Sequence, residues 1–145
     1  MRIFIDADSC PVLDVIGKIV EKKKIETHIV CDTNHIIERD WATTTVVSQG
    51  SDSADYAIAN NIDAGDIIVT QDYGLAAMCL AKKAICISPF GKEYTNENID
   101  MLLFTRYDSQ KQRKAGVRLK GPKARKKDDN TNFMTEFIKI IEREN

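Results

Sequence analysis

The chain has 145 residues, 43% of them hydrophobic and 30% charged, with a formal net charge of −1. That length suits one domain with a real core, and the composition is that of a soluble globular protein rather than a disordered or collagen-like one. No apolar run approaches the 18 or so residues of a membrane span, and the opening MRIFIDADSCP meets two acids before any long apolar stretch, unlike a signal peptide. A cytoplasmic protein with no membrane association is expected.

Arg2-Ile-Phe-Ile5 reads as a short apolar strand ending at Asp6. Pro11 suits a first helical position, and Val12, Val15, Ile16, Ile19 and Val20 recur at helical spacing, which predicts an amphipathic helix over 11–23. Thr27-His-Ile-Val-Cys31 is a second strand. The polar stretch 32–42 is expected to be irregular, with room for one helical turn. Thr43-Thr-Thr-Val-Val47 is β-branched throughout and reads as the third strand. Asp52 is a good N-cap for a helix running to about Asn61. Ile67-Ile-Val-Thr70 has the apolar character of a strand buried on both faces. Asp72 can cap a helix over 73–82, Ala84-Ile-Cys-Ile87 forms the fifth strand, and Asn96 can cap a helix over 97–105. Residues 107–130 read as linker-like, with Gly116, Gly121 and Pro122 breaking any long helix. Phe133, Phe137, Ile140 and Ile141 predict a C-terminal helix over 131–143. Strands alternating with helices imply an α/β fold: a central, mainly parallel sheet of about five strands, with right-handed crossovers and helices on both faces.

In such sheets ligands bind outside the carboxyl ends of the strands. Asp6 and Asp8 follow the first strand, Asp52 and Asp55 the third, and Asp72 the fourth. Right-handed crossovers bring all five to one edge. Carboxylates that close raise one another's pKa, a conflict that a divalent cation removes, and an all-oxygen donor set suits Mg²⁺ or Mn²⁺. Each of Asp8, Asp52 and Asp72 also has an ordinary explanation as a helix cap; Asp6, at the end of a buried strand, has a weaker one. Cys10, Cys31, Cys79 and Cys86 form no CxxC pair and have no clustered histidine, which argues against zinc. A catalytic Cys10 would need a histidine, and His28 and His35 lie in other segments.

The charge is uneven. Residues 1–105 carry 9 Lys and Arg against 16 Asp and Glu, whereas residues 106–127 carry 10 basic residues against Asp108 alone. Arg106, Arg113, Lys114, Lys120 and Lys123 belong to this basic segment and are dense enough to neutralise several phosphates. Tyr107 is the only aromatic there, so contact with the nucleic-acid backbone is expected rather than base reading. A solvated charge run, or an arm that neutralises the acidic body of a partner subunit, would look the same.

DADSCPV at 6–12, GSDSADYAI at 50–58, GDIIVTQDYGLA at 65–76, PFGKEYTNENI at 89–99, Arg106, Arg113, Gly116 and GPK at 121–123 resemble the YaiI/YqxD family of uncharacterised bacterial proteins. That family looks like a relative of the PIN-domain superfamily, metal-dependent nucleases with a three-layer α/β/α sandwich. The resemblance implies that Asp6, Asp55 and Asp72 correspond to the catalytic acids of PIN nucleases, with Asp8 and Asp52 as further metal ligands. A PIN nuclease often has a fourth acid just beyond the one after strand four. Here 73–82 is YGLAAMCLAK, so Asp8 or Asp52 would have to replace it.

The expectation is therefore a Mg²⁺- or Mn²⁺-dependent nuclease acting on RNA or single-stranded DNA, with RNA the favoured partner. Two alternatives stand. One is a PIN-like module that binds nucleic acid without cleaving it. The other follows from FIDADS, which resembles the DxD opening of haloacid-dehalogenase-type phosphatases, although Cys10 stands where those enzymes prefer Thr or Val and no later strand ends in paired acids.

Overall fold

The computed structural model describes residues 1–8, 10–50, 53–116 and 125–144, without the side chains at 106–110, 113 and 114. Its elements are β1 (Ile3–Asp6), α1 (Leu13–Lys23), β2 (Thr27–Asp32), β3 (Thr43–Val47), α2 (Ser53–Asn61), β4 (Ile67–Val69), α3 (Tyr73–Ala81), β5 (Ile85–Ile87), β6 (Glu93–Tyr94), α4 (Asn96–Lys114) and α5 (Lys127–Glu144). The sheet order is β3-β2-β1-β4-β5-β6. β1 to β5 are parallel and β6 joins β5 antiparallel. The chain first builds outward from β1 to β2 and β3, then returns to place β4 on the other side of β1. The reversal opens a crevice at the carboxyl ends of β1 and β4.

Successive residues of each strand face opposite layers. Ile3, Ile5, Ile29, Ile67 and Val69 pack with Ile16, Ile19 and Val20 of α1 and with Phe133, Phe137, Ile140 and Ile141 of α5. Phe4, Val30, Ile68 and Cys86 pack with Ile58 of α2, Leu75 and Cys79 of α3, and Ile99 of α4. Helices therefore cover both faces, giving three layers around a mostly parallel sheet. β4 is buried along its whole length, as its continuous apolar run requires. Among the described residues, no helix is long and apolar enough to cross a membrane.

Several boundaries differ from the sequence expectation. α1 begins at Leu13 rather than at Pro11, and it ends where Lys24 turns left-handed (φ 55°) and donates its N–H to Val20 O. The stretch 33–42 makes turns and no helix. Trp41 from that stretch lies against α1 at Gly17, so close that a Cβ there would stand 2.5 Å from Trp41 Cε2. β6 was not expected. α4 is 19 residues long and runs through 107–114, which the sequence suggested was linker. Asn96 is not its cap. Thr95 is, in a reciprocal pair: Asn98 N–H donates to Thr95 Oγ1 (3.2 Å) and Thr95 N–H to Asn98 Oδ1 (2.9 Å). Gly116, at φ 85°, follows the helix end. α5 starts at Lys127, four residues before the expected start at 131, with Asp129 accepting the N–H of Lys126 at 2.7 Å.

Candidate metal centre

Asp6 closes β1 beside β4, and only 8% of its surface is exposed. One hydroxyl links it to the next acid. Thr70 Oγ1 donates to Asp6 Oδ2 at 2.9 Å and accepts the N–H of Asp72 at 3.0 Å. Asp72 in turn caps α3, its Oδ1 accepting Leu75 N–H at 3.1 Å. Tyr94 of β6 holds Thr70 from the other side, donating its hydroxyl to Thr70 O at 3.2 Å. The short antiparallel strand that the sequence reading missed thus braces the residue joining two of its candidate acids.

Burial pushes the Asp6 carboxyl up from 3.8 to about 6; the Thr70 hydrogen bond opposes this, while Asp8 and Asp72 add to it. A pocket of about 90 Å³ opens beside it, lined by Asp6, Asp8, Asp32, Asp55 and Asp72. Four of the five acids singled out from the sequence therefore meet at the crevice. The fifth, Asp52, lies outside the described residues. Asp32 was missed. It ends β2 as Asp6 ends β1, and the same strand-end argument applied to Cys31-Asp32 would have found it. Its Oδ1 accepts the N–H groups of Asn34 (2.9 Å) and His35 (3.2 Å), which fixes the turn leaving β2. A second pocket of about 210 Å³ shares Asp8, Cys31 and Asp32 with the first and adds His35 and Ile37.

The donor set fits a hard divalent cation: the acidic lining offers carboxylate oxygens, and an elevated Asp6 pKa is what a cation would reverse. The spacing is looser than a closed site. Among the described residues, no three His, Cys, Asp or Glu side chains stand close enough to grip one ion as placed. Rotation of the carboxylates about their side-chain bonds would have to close the ring.

The cysteines are all free. Burial pushes the Cys10 thiol up to about 11, so it stays protonated at neutral pH and lacks a nucleophile's thiolate. His28 of β2 stacks on Phe4 and pairs with Glu26, and neither contact involves Cys10. Of the basic residues expected to meet phosphate, Arg106, Arg113 and Lys114 lie on the second half of α4, and Lys120 and Lys123 lie outside the described residues.

Residues 4–143 match the family model described as "Uncharacterized BCR, YaiI/YqxD family". The chain is 47% identical to a UPF0178 protein of Exiguobacterium sibiricum over 97% of its own length and 96% of that protein's. It is 39% identical to a UPF0178 protein of Clostridium acetobutylicum (99% and 98% covered) and 45% identical to one from Clostridium kluyveri (97% and 93%). No solved structure matches it. End-to-end agreement with the family model and with these relatives identifies the chain as a member of the YaiI/YqxD family.

Proposed function

We propose that the chain is a metal-dependent nuclease that hydrolyses phosphodiesters of RNA or single-stranded DNA. The observation that carries the reading is the lining of the crevice: Asp6, Asp55 and Asp72, with Asp8 and Asp32, around one small pocket beside β1 and β4. Asp6, Asp55 and Asp72 would hold Mg²⁺ or Mn²⁺, in line with the resemblance to PIN nucleases. When bound, such an ion supplies charge stabilisation at a phosphoryl oxygen and lowers the pKa of a coordinated water. Asp6 ionises near pH 6 and so offers a carboxylate at neutral pH. Thr70 keeps Asp6 and the start of α3 in register, and the α3 cap leaves Asp72 in place at the pocket wall. The test is cleavage of fluorescently labelled single-stranded RNA with Mn²⁺, compared between wild type and Asp6→Asn. Metal-dependent cleavage that vanishes in the variant supports the reading; activity that persists refutes the assignment of Asp6.

A second reading rests on the looseness of the described acids, no three of which stand close enough to grip one ion as placed. On that reading the chain binds nucleic acid and does not cut it. Filter binding without cleavage in Mn²⁺-replete buffer would select it.

A further inference from the structure

At the same carboxyl edge, the loop after β5 displays an aromatic ring beside a cation. Phe90 is 41% exposed, and the Arg125 guanidinium lies over its ring, 5.0 Å from the centroid. The loop that carries Phe90 is fixed. Ser88 Oγ accepts the N–H groups of Phe90 and Lys92, both at 3.2 Å. Gly91, at φ +90°, lets the loop approach α5 so closely that a Cβ there would stand 2.9 Å from Asn132 O. Arg125 is held as well: Nε and Nη2 both donate to Asn130 Oδ1, at 2.9 and 2.7 Å. Its Nη1 is buried and has no hydrogen-bond partner among the described residues.

The pair lies close to the acids. β5 is two strands from β1, about 10 Å at ordinary strand spacing. Cys10, in the turn that leaves Asp6, feels the charges of both Asp6 and Arg125. α5 covers the face opposite α2 and α3, so the pair and the acidic pocket flank the sheet edge from its two sides. A polymer laid across that edge would reach both.

We propose that Phe90 and Arg125 form a nucleotide-anchoring subsite, with the Phe90 ring stacking on a base of single-stranded nucleic acid and the Arg125 charge beside it attracting the adjoining phosphate. This deepens, and rests on, the nuclease reading. Aromatic stacking accepts any base, and attraction between a guanidinium charge and a phosphate is the same for every sequence, so the subsite would position the strand without reading its sequence. The competing explanation is a structural clasp that only fastens the β5 loop to α5.

The experiment measures fluorescence anisotropy of a labelled single-stranded RNA of about 12 nucleotides, a length within the footprint of compact single-strand binders. It uses the full chain in EDTA, so that binding is read without cleavage. Wild type, Phe90→Leu, Arg125→Gln and Arg125→Lys are compared over a salt series, with a thermal melt of each. Phe90→Leu should weaken binding roughly 5- to 150-fold, the range for losing one stacked base, without changing the salt slope. Arg125→Gln should flatten the slope of log Kd against log salt by about 0.7, and Arg125→Lys should restore it. Variants that bind within twofold of wild type overturn the subsite, as do variants whose weaker binding follows a lower melting temperature with no change in the Arg125→Gln slope. In either case metal-dependent cleavage by wild type leaves the nuclease reading intact. Wild type that neither binds nor cuts RNA or single-stranded DNA removes both.

Discussion

Replacing Asp6 by Asn should stabilise the metal-free protein while abolishing the proposed metal-dependent cleavage. The magnitude follows from the carboxyl's displacement from 3.8 to about 6 on folding. Between those values the folded state keeps a proton that the unfolded state has released. Fewer protons bound in the unfolded state means that stability falls as pH rises through this window, and the loss is complete above the folded pKa. At 1.36 kcal/mol per unit, the buried carboxylate costs about 3 kcal/mol at neutral pH. Asn keeps a carbonyl oxygen for the Thr70 hydroxyl and places an amide among Asp8 and Asp72, so a net gain of about 1–3 kcal/mol is expected. For a chain of this size that raises Tm by about 3–10 °C. Melts of both proteins in EDTA from pH 4 to 8 should give curves that coincide at low pH, separate between about pH 4 and 6, and stay parallel above. If the proposed site holds metal, adding Mn²⁺ should raise the wild-type Tm and move the variant's less, because the variant lacks one of the carboxylates that would grip the ion in the folded state. Curves that stay together across the whole range, or a variant that is less stable at neutral pH, would refute the claim that Asp6 is held as a strained carboxylate.

Two further substitutions probe the frame around it. Thr70→Val removes the donor to Asp6 and the acceptor for Asp72 N–H at nearly constant volume; it should cost about 1–3 kcal/mol and shift the acidic limb of Mn²⁺ binding to higher pH, because the lost hydrogen bond was holding the Asp6 pKa down. A limb that does not move would mean that Thr70 is only packing. Gly17→Ala sets a helix-propensity gain of about 1 kcal/mol against a Cβ 2.5 Å from Trp41; overpacking of this kind costs about 1–3 kcal/mol, so stability should hold or drop, and the emission of Trp41, the only tryptophan, should change. Unchanged emission would show that the ring does not lie on the helix.

The alternation of β-branched runs with helical periodicity carried most of the architecture, because buried parallel strands such as Ile67–Val69 and amphipathic helices such as α1 write their burial directly into residue order. What escaped lacked that signature. β6 is two residues long, and half of its pair is Glu93. The second half of α4 and the first turn of α5 are polar, so nothing in their pattern distinguishes a solvated helix from a linker. At the site, strand-end acids were legible wherever the strand itself was well bounded. Asp32 escaped because the second strand was taken to stop one residue early, at Cys31, and its last residue passed into the irregular stretch. The roles of Thr70 and Tyr94 depend on three-dimensional proximity that no spacing along the chain reports.

The Thr70–Asp6 hydrogen bond spans 64 positions of the chain. It can close only after β4 has docked on β1, the pairing that crosses the largest loop in the parallel part of the sheet. The acidic pocket therefore exists only once β4 has paired with β1, and a fragment ending before β4 would have Asp6 and Asp8 but no place to put them. An ion captured there would recognise only the finished sheet. Its binding would add stability to that sheet alone.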